Sequence, residues 1–197
     1  MTRFSSRRSW IAMLLCAASG TVFAADVDYT IEPGKRVGAI SKKTALAALR
    51  AAYGEKKVKR ADLPGVEGTT NKGAIIFGGT DREMHVIWDE GKVEKEVAYV
   101  DLVGKAWVIG DKLKVGATLE DVESVNGAAF KISGFEWDLG GFADFGKGKL
   151  AAKVMVRFTT TADNVSEDIL GDRSVSSRDK KVKAAKPVVE KLSVFVE

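Results

Sequence analysis

Val115-Gly116-Ala117-Thr118-Leu119-Glu120-Asp121-Val122-Glu123-Ser124-Val125-Asn126-Gly127 is the stretch on which the fold turns. Thr118 carries a hydroxyl that can cap a helix, and Asp121, three residues on, completes a capping-box pattern. Glu120 and Asp121 add negative charge where the helix dipole favours it. Leu119 and Val122 fall on one side. Asn126-Gly127 closes the segment, as glycine past a helix C-terminus commonly does. The spacing predicts a short amphipathic helix that starts at Thr118.

The arrangement occurs once more upstream. Val37-Gly38-Ala39-Ile40 leads into a predicted helix over residues 43–53, with Leu46, Leu49 and Tyr53 on one face and Gly54 at its end. Counted back from the closing glycine, Tyr53, Leu49 and Leu46 hold the places that Asn126, Val122 and Leu119 hold in the later copy. A polar, basic connection to Lys72 follows the first helix. Strand-like segments then run over 74–77, 84–88, 97–103 and 107–109, with Asp89-Glu90-Gly91-Lys92 as a hairpin turn. After the second helix they run over 130–132, 135–137, 142–145, 153–158 and 188–196, with a polar, irregular stretch over 162–186. A pattern recurring at this length reads as one supersecondary unit used twice. The expected fold is α+β: two related helix-plus-antiparallel-sheet units, residues 31–103 and 107–197, in one compact domain spanning 25–197.

The first 24 residues read as a removable export signal. Arg3, Arg7 and Arg8 precede an apolar run from Trp10 to Ala18, and Val22-Phe23-Ala24 places small residues at the −3 and −1 positions of a cleavage site. The run is shorter than the ~20 residues that span a bilayer, so no stable membrane insertion is expected. Ser6-Arg7-Arg8-Ser9-Trp10-Ile11 partly matches the twin-arginine pattern, so the general and the twin-arginine export routes both stay open. Cys16, the one cysteine, lies within the signal behind Leu15, where a lipid-acceptor cysteine would need a small residue. The expected product is soluble and periplasmic, free of disulfides and thiolate chemistry. Without the three leader arginines, 28 Lys+Arg stand against 27 Asp+Glu, a balance that points to no nucleic-acid partner.

The mature chain offers little to catalysis. His85, the one histidine, lies in Met84-His85-Val86-Ile87-Trp88 and reads as a residue of a half-buried sheet face. There is no G-x-S-x-G elbow, and one histidine without cysteine argues against a transition-metal site. No cofactor is expected. Glu136 and Asp138 flank Trp137 and, on a strand, would share one face; paired carboxylates at such spacing can serve a glycosidase. A hydrolase of envelope polymers through these two acids is the alternative function.

The most distinctive local segment is Gly134–Gly148, which carries Phe135, Trp137, Phe142 and Phe145 among five glycines. These four aromatics are the candidate binding residues. They form either an exposed docking face or the core of a sheet bent at its glycines. The runs Lys56-Lys57-Val58-Lys59-Arg60 and Lys180-Lys181-Val182-Lys183 read as solvated loops, with contact to anionic lipid or polymer as a minor reading.

Val37-Gly38-Ala39-Ile40, Tyr53-Gly54, Val115-Gly116-Ala117-Thr118-Leu119, Asn126-Gly127, Phe130, Gly134-Phe135-Glu136-Trp137-Asp138, residues 171–177 and Pro187 together resemble a family of uncharacterised exported bacterial proteins. That resemblance covers most of the mature chain and carries no activity. More loosely, each helix–strand unit is similar to the repeat of the β-lactamase inhibitor protein and of the small lipoprotein of the outer-membrane barrel-assembly machinery. The resemblance implies a protein that binds other proteins and catalyses nothing. The functional expectation is a non-catalytic periplasmic interaction protein, with another envelope protein as its partner.

Overall fold

Helix α1 spans Leu46–Tyr53 and helix α2 Leu119–Asn126, in a computed structural model that describes residues 27–65 and 68–197. The leader read at residues 1–24, with its cleavage site and Cys16, lies outside the described residues. The capping box at α2 is formed: the Asp121 amide donates to Thr118 Oγ1 at 3.2 Å, and the Thr118 amide donates to the Asp121 carboxylate at 3.3 Å. Gly127 closes the helix in the left-handed region at φ 76°. Thr118→Ala should cost about 1 kcal/mol, read as a lower urea midpoint with an unchanged slope. Helix α1 lacks a side-chain cap at Ala45; its first amide, on Leu46, instead donates to the distant Glu94 carbonyl at 3.2 Å. Both helices bury residues at the same spacing, Leu46, Leu49 and Tyr53 in one and Leu119, Val122 and Asn126 in the other.

The rest is mostly antiparallel sheet. Strands β1 (Ile31–Glu32) and β2 (Arg36–Val37) form a small hairpin. Then β3 (Val58–Pro64), β4 (Thr70–Ile76), β5 (Met84–Trp88) and β6 (Val97–Leu102) run as a meander. Beyond α2 come β7 (Lys131–Ser133), β8 (Ala143–Asp144), β9 (Val154–Thr159), β10 (Ser174–Ser176), helix α3 (Lys180–Ala184) and β11 (Val188–Phe195). The main sheet has the order β3-β4-β5-β6-β11-β9, and a three-stranded sheet has the order β10-β7-β8. The fold is the expected α+β class, but the later strands divide between two sheets.

Four expectations are corrected. The basic connection after α1 is not a loop: Val58–Pro64 is the edge strand β3, paired with β4 over seven residues. The stretch 135–137 is not a strand, and Trp107–Ile109 contributes a buried Trp107 and a single bridge, Ile109 to Leu113, rather than a strand. The polar stretch 162–186 is ordered as a 3-10 turn (Glu167–Ile169), β10 and α3.

One continuous core lies between the helices and one face of the main sheet. Val58, Ala74, Ile76, Met84, Val86, Val100, Leu102, Leu192, Val194, Val154 and Val156 supply the sheet side. The alternation of buried and half-exposed residues in β9 is the period-2 signature of a sheet with one face on the core. The two sheets are joined at the free edge of β9. There the Phe158 amide donates to the Gly141 carbonyl at 2.8 Å, and Arg157 Nε donates to the Gly140 carbonyl at 2.9 Å. No helix among the described residues is long and apolar enough to cross a membrane.

Candidate functional site: an aromatic groove on the small sheet

Phe135, Trp137 and Phe142 lie in a tight loop between β7 and β8, and Phe145 follows β8 directly. The Gly134 amide donates to the Arg173 carbonyl at 2.7 Å, the Phe135 amide to Ile169 at 2.9 Å, and the Gly171 amide to Phe135 at 2.8 Å. These bonds staple the loop to residues 169–173, a partner far along the chain. Within the loop, the Gly140 amide donates to the Trp137 carbonyl at 2.8 Å, and Trp137 Nε1 donates to the Gly134 carbonyl at 2.8 Å. The Trp137 ring is thereby fixed by its one polar atom. A Cβ on Gly140 would stand 3.0 Å from that ring and 2.8 Å from the Gly134 carbonyl oxygen, so this position has room for glycine alone.

The four aromatics differ in burial. Phe135 and Phe145 are core residues, 3% and 5% exposed. Phe145 packs on Phe130 at 5.1 Å between ring centroids, and Phe130 stacks on Phe158 at 5.9 Å. Of the two readings open for the four aromatics, exposed face or core, Phe135 and Phe145 take the core one. Trp137 and Phe142 are half-buried and lie together with Leu139, which is 42% exposed. The three line a groove of about 490 Å³ over the outer face of the small sheet, with Lys131, Asp144, Asp172 and Arg173 among its polar residues. Arg157 lies beside the Phe142 ring, 5.5 Å from its centroid, a spacing at which a guanidinium is attracted to an aromatic face.

The paired carboxylates lose the geometry that motivated them. Glu136 sits at φ 63°, in the left-handed region, so residues 136–138 bend instead of presenting two acids on one strand face. Elsewhere the sheet aligns three residue types that invite comparison with a catalytic triad. His85 is opposite Asp101, and Asp101 is opposite Ser193. Their bonds do not run in a triad's order. Ser193 Oγ is fully buried and donates to Asp101 at 2.5 Å, Lys191 Nζ lies 3.2 Å from the same carboxylate, and His85 Nε2 donates to Glu83 at 2.7 Å. The hydroxyl is committed to the acid and not to the base, whereas acyl transfer needs the base to take the hydroxyl proton. The Gly79 amide and the His85 ring hold the Glu83 carboxyl below its usual range, as for an acceptor of two hydrogen bonds.

Leu139 is a groove residue that sequence reading did not single out, because the strand read over 135–137 stopped short of it. Asp172 and Arg173 were missed because the groove depends on pairing 169–173 with 134–135.

The architecture is similar to the crystal structure of the uncharacterized protein YfeY from Escherichia coli. The match has a TM-score of 0.52 at 14% sequence identity and covers 84% of this chain and 99% of that one. The likeness is one of fold. No family model matches the chain, and no curated protein matches it in sequence.

Proposed function

We propose that this chain is a non-catalytic binding protein of the periplasm that engages another envelope protein through the groove of Trp137, Leu139 and Phe142. The observation that carries the reading is the convergence of these three apolar side chains on one groove with charged residues beside them. Aromatic anchors beside polar rims are the composition of protein interfaces, and a ring held by its own hydrogen bond loses little entropy on binding. The export pattern at residues 1–24 supports the compartment. The similarity of the helix–strand units to repeats of proteins that bind other proteins supports the class.

Leu139→Glu tests the reading without disturbing the fold, since an exposed leucine carries little packing and such changes usually stay within about 0.5 kcal/mol. The tagged mature protein is crosslinked mildly in its native envelope, and the co-purifying proteins are quantified. A stoichiometric partner should fall at least about tenfold with Leu139→Glu while the circular dichroism stays that of the parent. Equal recovery from both proteins, or recovery of no partner, would sink the proposal.

A further inference from the structure

The two edges of the main sheet are treated differently. The outer edge of β9 is covered by the Gly140–Phe142 segment, whereas no described segment pairs with the outer edge of β3. The register fixes which backbone groups that edge presents. The Phe77 amide donates to Lys57 at 3.1 Å and the Gly65 amide to Thr69 at 2.7 Å, so the hydrogen-bonded pairs fall on the odd residues of β3. By the alternation of an antiparallel ladder, the amides and carbonyls of Arg60 and Asp62 point away from β4. Both residues are exposed, whereas Val58 is 2% exposed at the end near α1.

The side chains around this edge give it a sign. Asp62 is taken by Lys72 at 2.9 Å, Glu55 by Arg50 at 3.2 Å, and Glu94 by Arg60 at 2.6 Å. Lys56 and Lys59 are left as exposed cations beside the open backbone, and Lys57 lies over the Phe77 ring at 5.4 Å. On the face of Arg60 and Asp62, a cleft of about 360 Å³ is walled by Trp88 and by Val93, which is 42% exposed. A free strand edge, an excess of positive charge and an apolar notch thus meet at one place.

From this meeting we infer that β3 takes up an extended acidic peptide segment of a partner protein as a seventh strand. In such an addition, main-chain bonds give affinity and alternate side chains give specificity. Here the backbone of Arg60 and Asp62 would supply the bonds. One face of the incoming strand would set carboxylates against Lys59, and the other would set apolar residues against Val93 and Trp88. An anionic lipid surface could use the lysines but not the directed backbone groups, which favours a polypeptide. The inference stands apart from the groove of Trp137, which lies on the small sheet.

The probe is a fluorescein-labelled peptide of four Glu-Val repeats, titrated into the mature protein by anisotropy. The same peptide N-methylated at alternate residues keeps the charge and removes the backbone donors. The expected result is binding that weakens at least about tenfold on N-methylation and by a similar factor with Lys59→Glu. Amide exchange at Arg60 and Asp62 in the parent protein should slow at least about tenfold when the unmodified peptide is present. This second readout needs no variant, so it decides the matter even if Lys59→Glu does not fold. Absence of binding overturns the inference, as does protection confined to other amides. Binding of the N-methylated peptide or of phosphatidylglycerol vesicles as tight as that of the parent peptide overturns it too. The lysines would then serve to keep sheet edges of different copies apart.

Discussion

Replacing Trp107 by alanine is expected to destabilise the protein by about 4–5 kcal/mol, a large part of the stability of a domain this size. Trp107 is among the largest fully buried side chains, at 1% exposure, although it belongs to no helix or strand. Its ring contacts Tyr29 at 5.7 Å, and its Nε1 donates to the Arg82 carbonyl at 3.0 Å. Alanine would leave a cavity where the indole stood and an Arg82 carbonyl without its donor. The first effect is worth about 3–5 kcal/mol and the second about 1 kcal/mol or more. Trp107→Phe separates them, because it keeps most of the volume and loses the hydrogen bond; it should cost about 1–2 kcal/mol. Urea unfolding followed by circular dichroism reads both variants. A loss below about 1 kcal/mol for Trp107→Ala would contradict the packing described for this ring.

The second large effect is at Gly141, where the small sheet is joined to the main one. Gly141 lies at φ 78°, and a Cβ there would stand 2.1 Å from the Phe158 carbonyl oxygen. Backbone cannot yield as a flexible side chain does. Gly141→Ala must therefore part the segment from β9 and weaken the 2.8 Å bond from the Phe158 amide to the Gly141 carbonyl. The expected loss is about 3–4 kcal/mol, with faster amide exchange at Phe158. Gly146→Ala is the control. Gly146 also has a left-handed backbone, φ 55°, but nothing lies within 4 Å of its added Cβ, so it carries only the conformational cost of about 1–2 kcal/mol. Because Phe142 follows Gly141 directly, Gly141→Ala should also lower partner recovery through the groove. Equal stability of the two variants would show that the junction is not tight.

What could be read from the chain followed the range of the interactions involved. Helix α2 was legible because Thr118, Asp121 and Gly127 act within one or two turns of it. Strands β5, β9 and β11 were legible from buried residues that alternate or run together. Strand β3 was not: an edge strand can be solvated on both faces, so Lys59, Arg60 and Asp62 removed the apolar pattern that marks a strand. The loop at 134–141 misled in the opposite sense. Phe135 and Trp137 alternate like strand residues, but Phe135 pairs with residues 169–171 in a segment that looked irregular. The groove inherited that error, with Trp137 and Phe142 recognised and Leu139, Asp172 and Arg173 overlooked.

The position of β11 sets the order in which the molecule can be completed. Residues 188–195 are the last strand of the chain, yet they lie fifth of six in the main sheet, between β6 and β9. As the chain grows from the N-terminus, the β3–β6 meander can zip up by local turns, whereas β9 has no neighbouring strand in that sheet until residues 188–195 emerge. Joining β6 to β9 means closing a loop of more than fifty residues that holds α2, β7 and β8, the kind of non-local contact that slows folding. The apolar inner face of β9, Val154, Val156 and Phe158, stays uncovered on its β11 side throughout that interval. The nascent chain is thus held open until its terminal strand arrives, and its exposure to premature association ends only then.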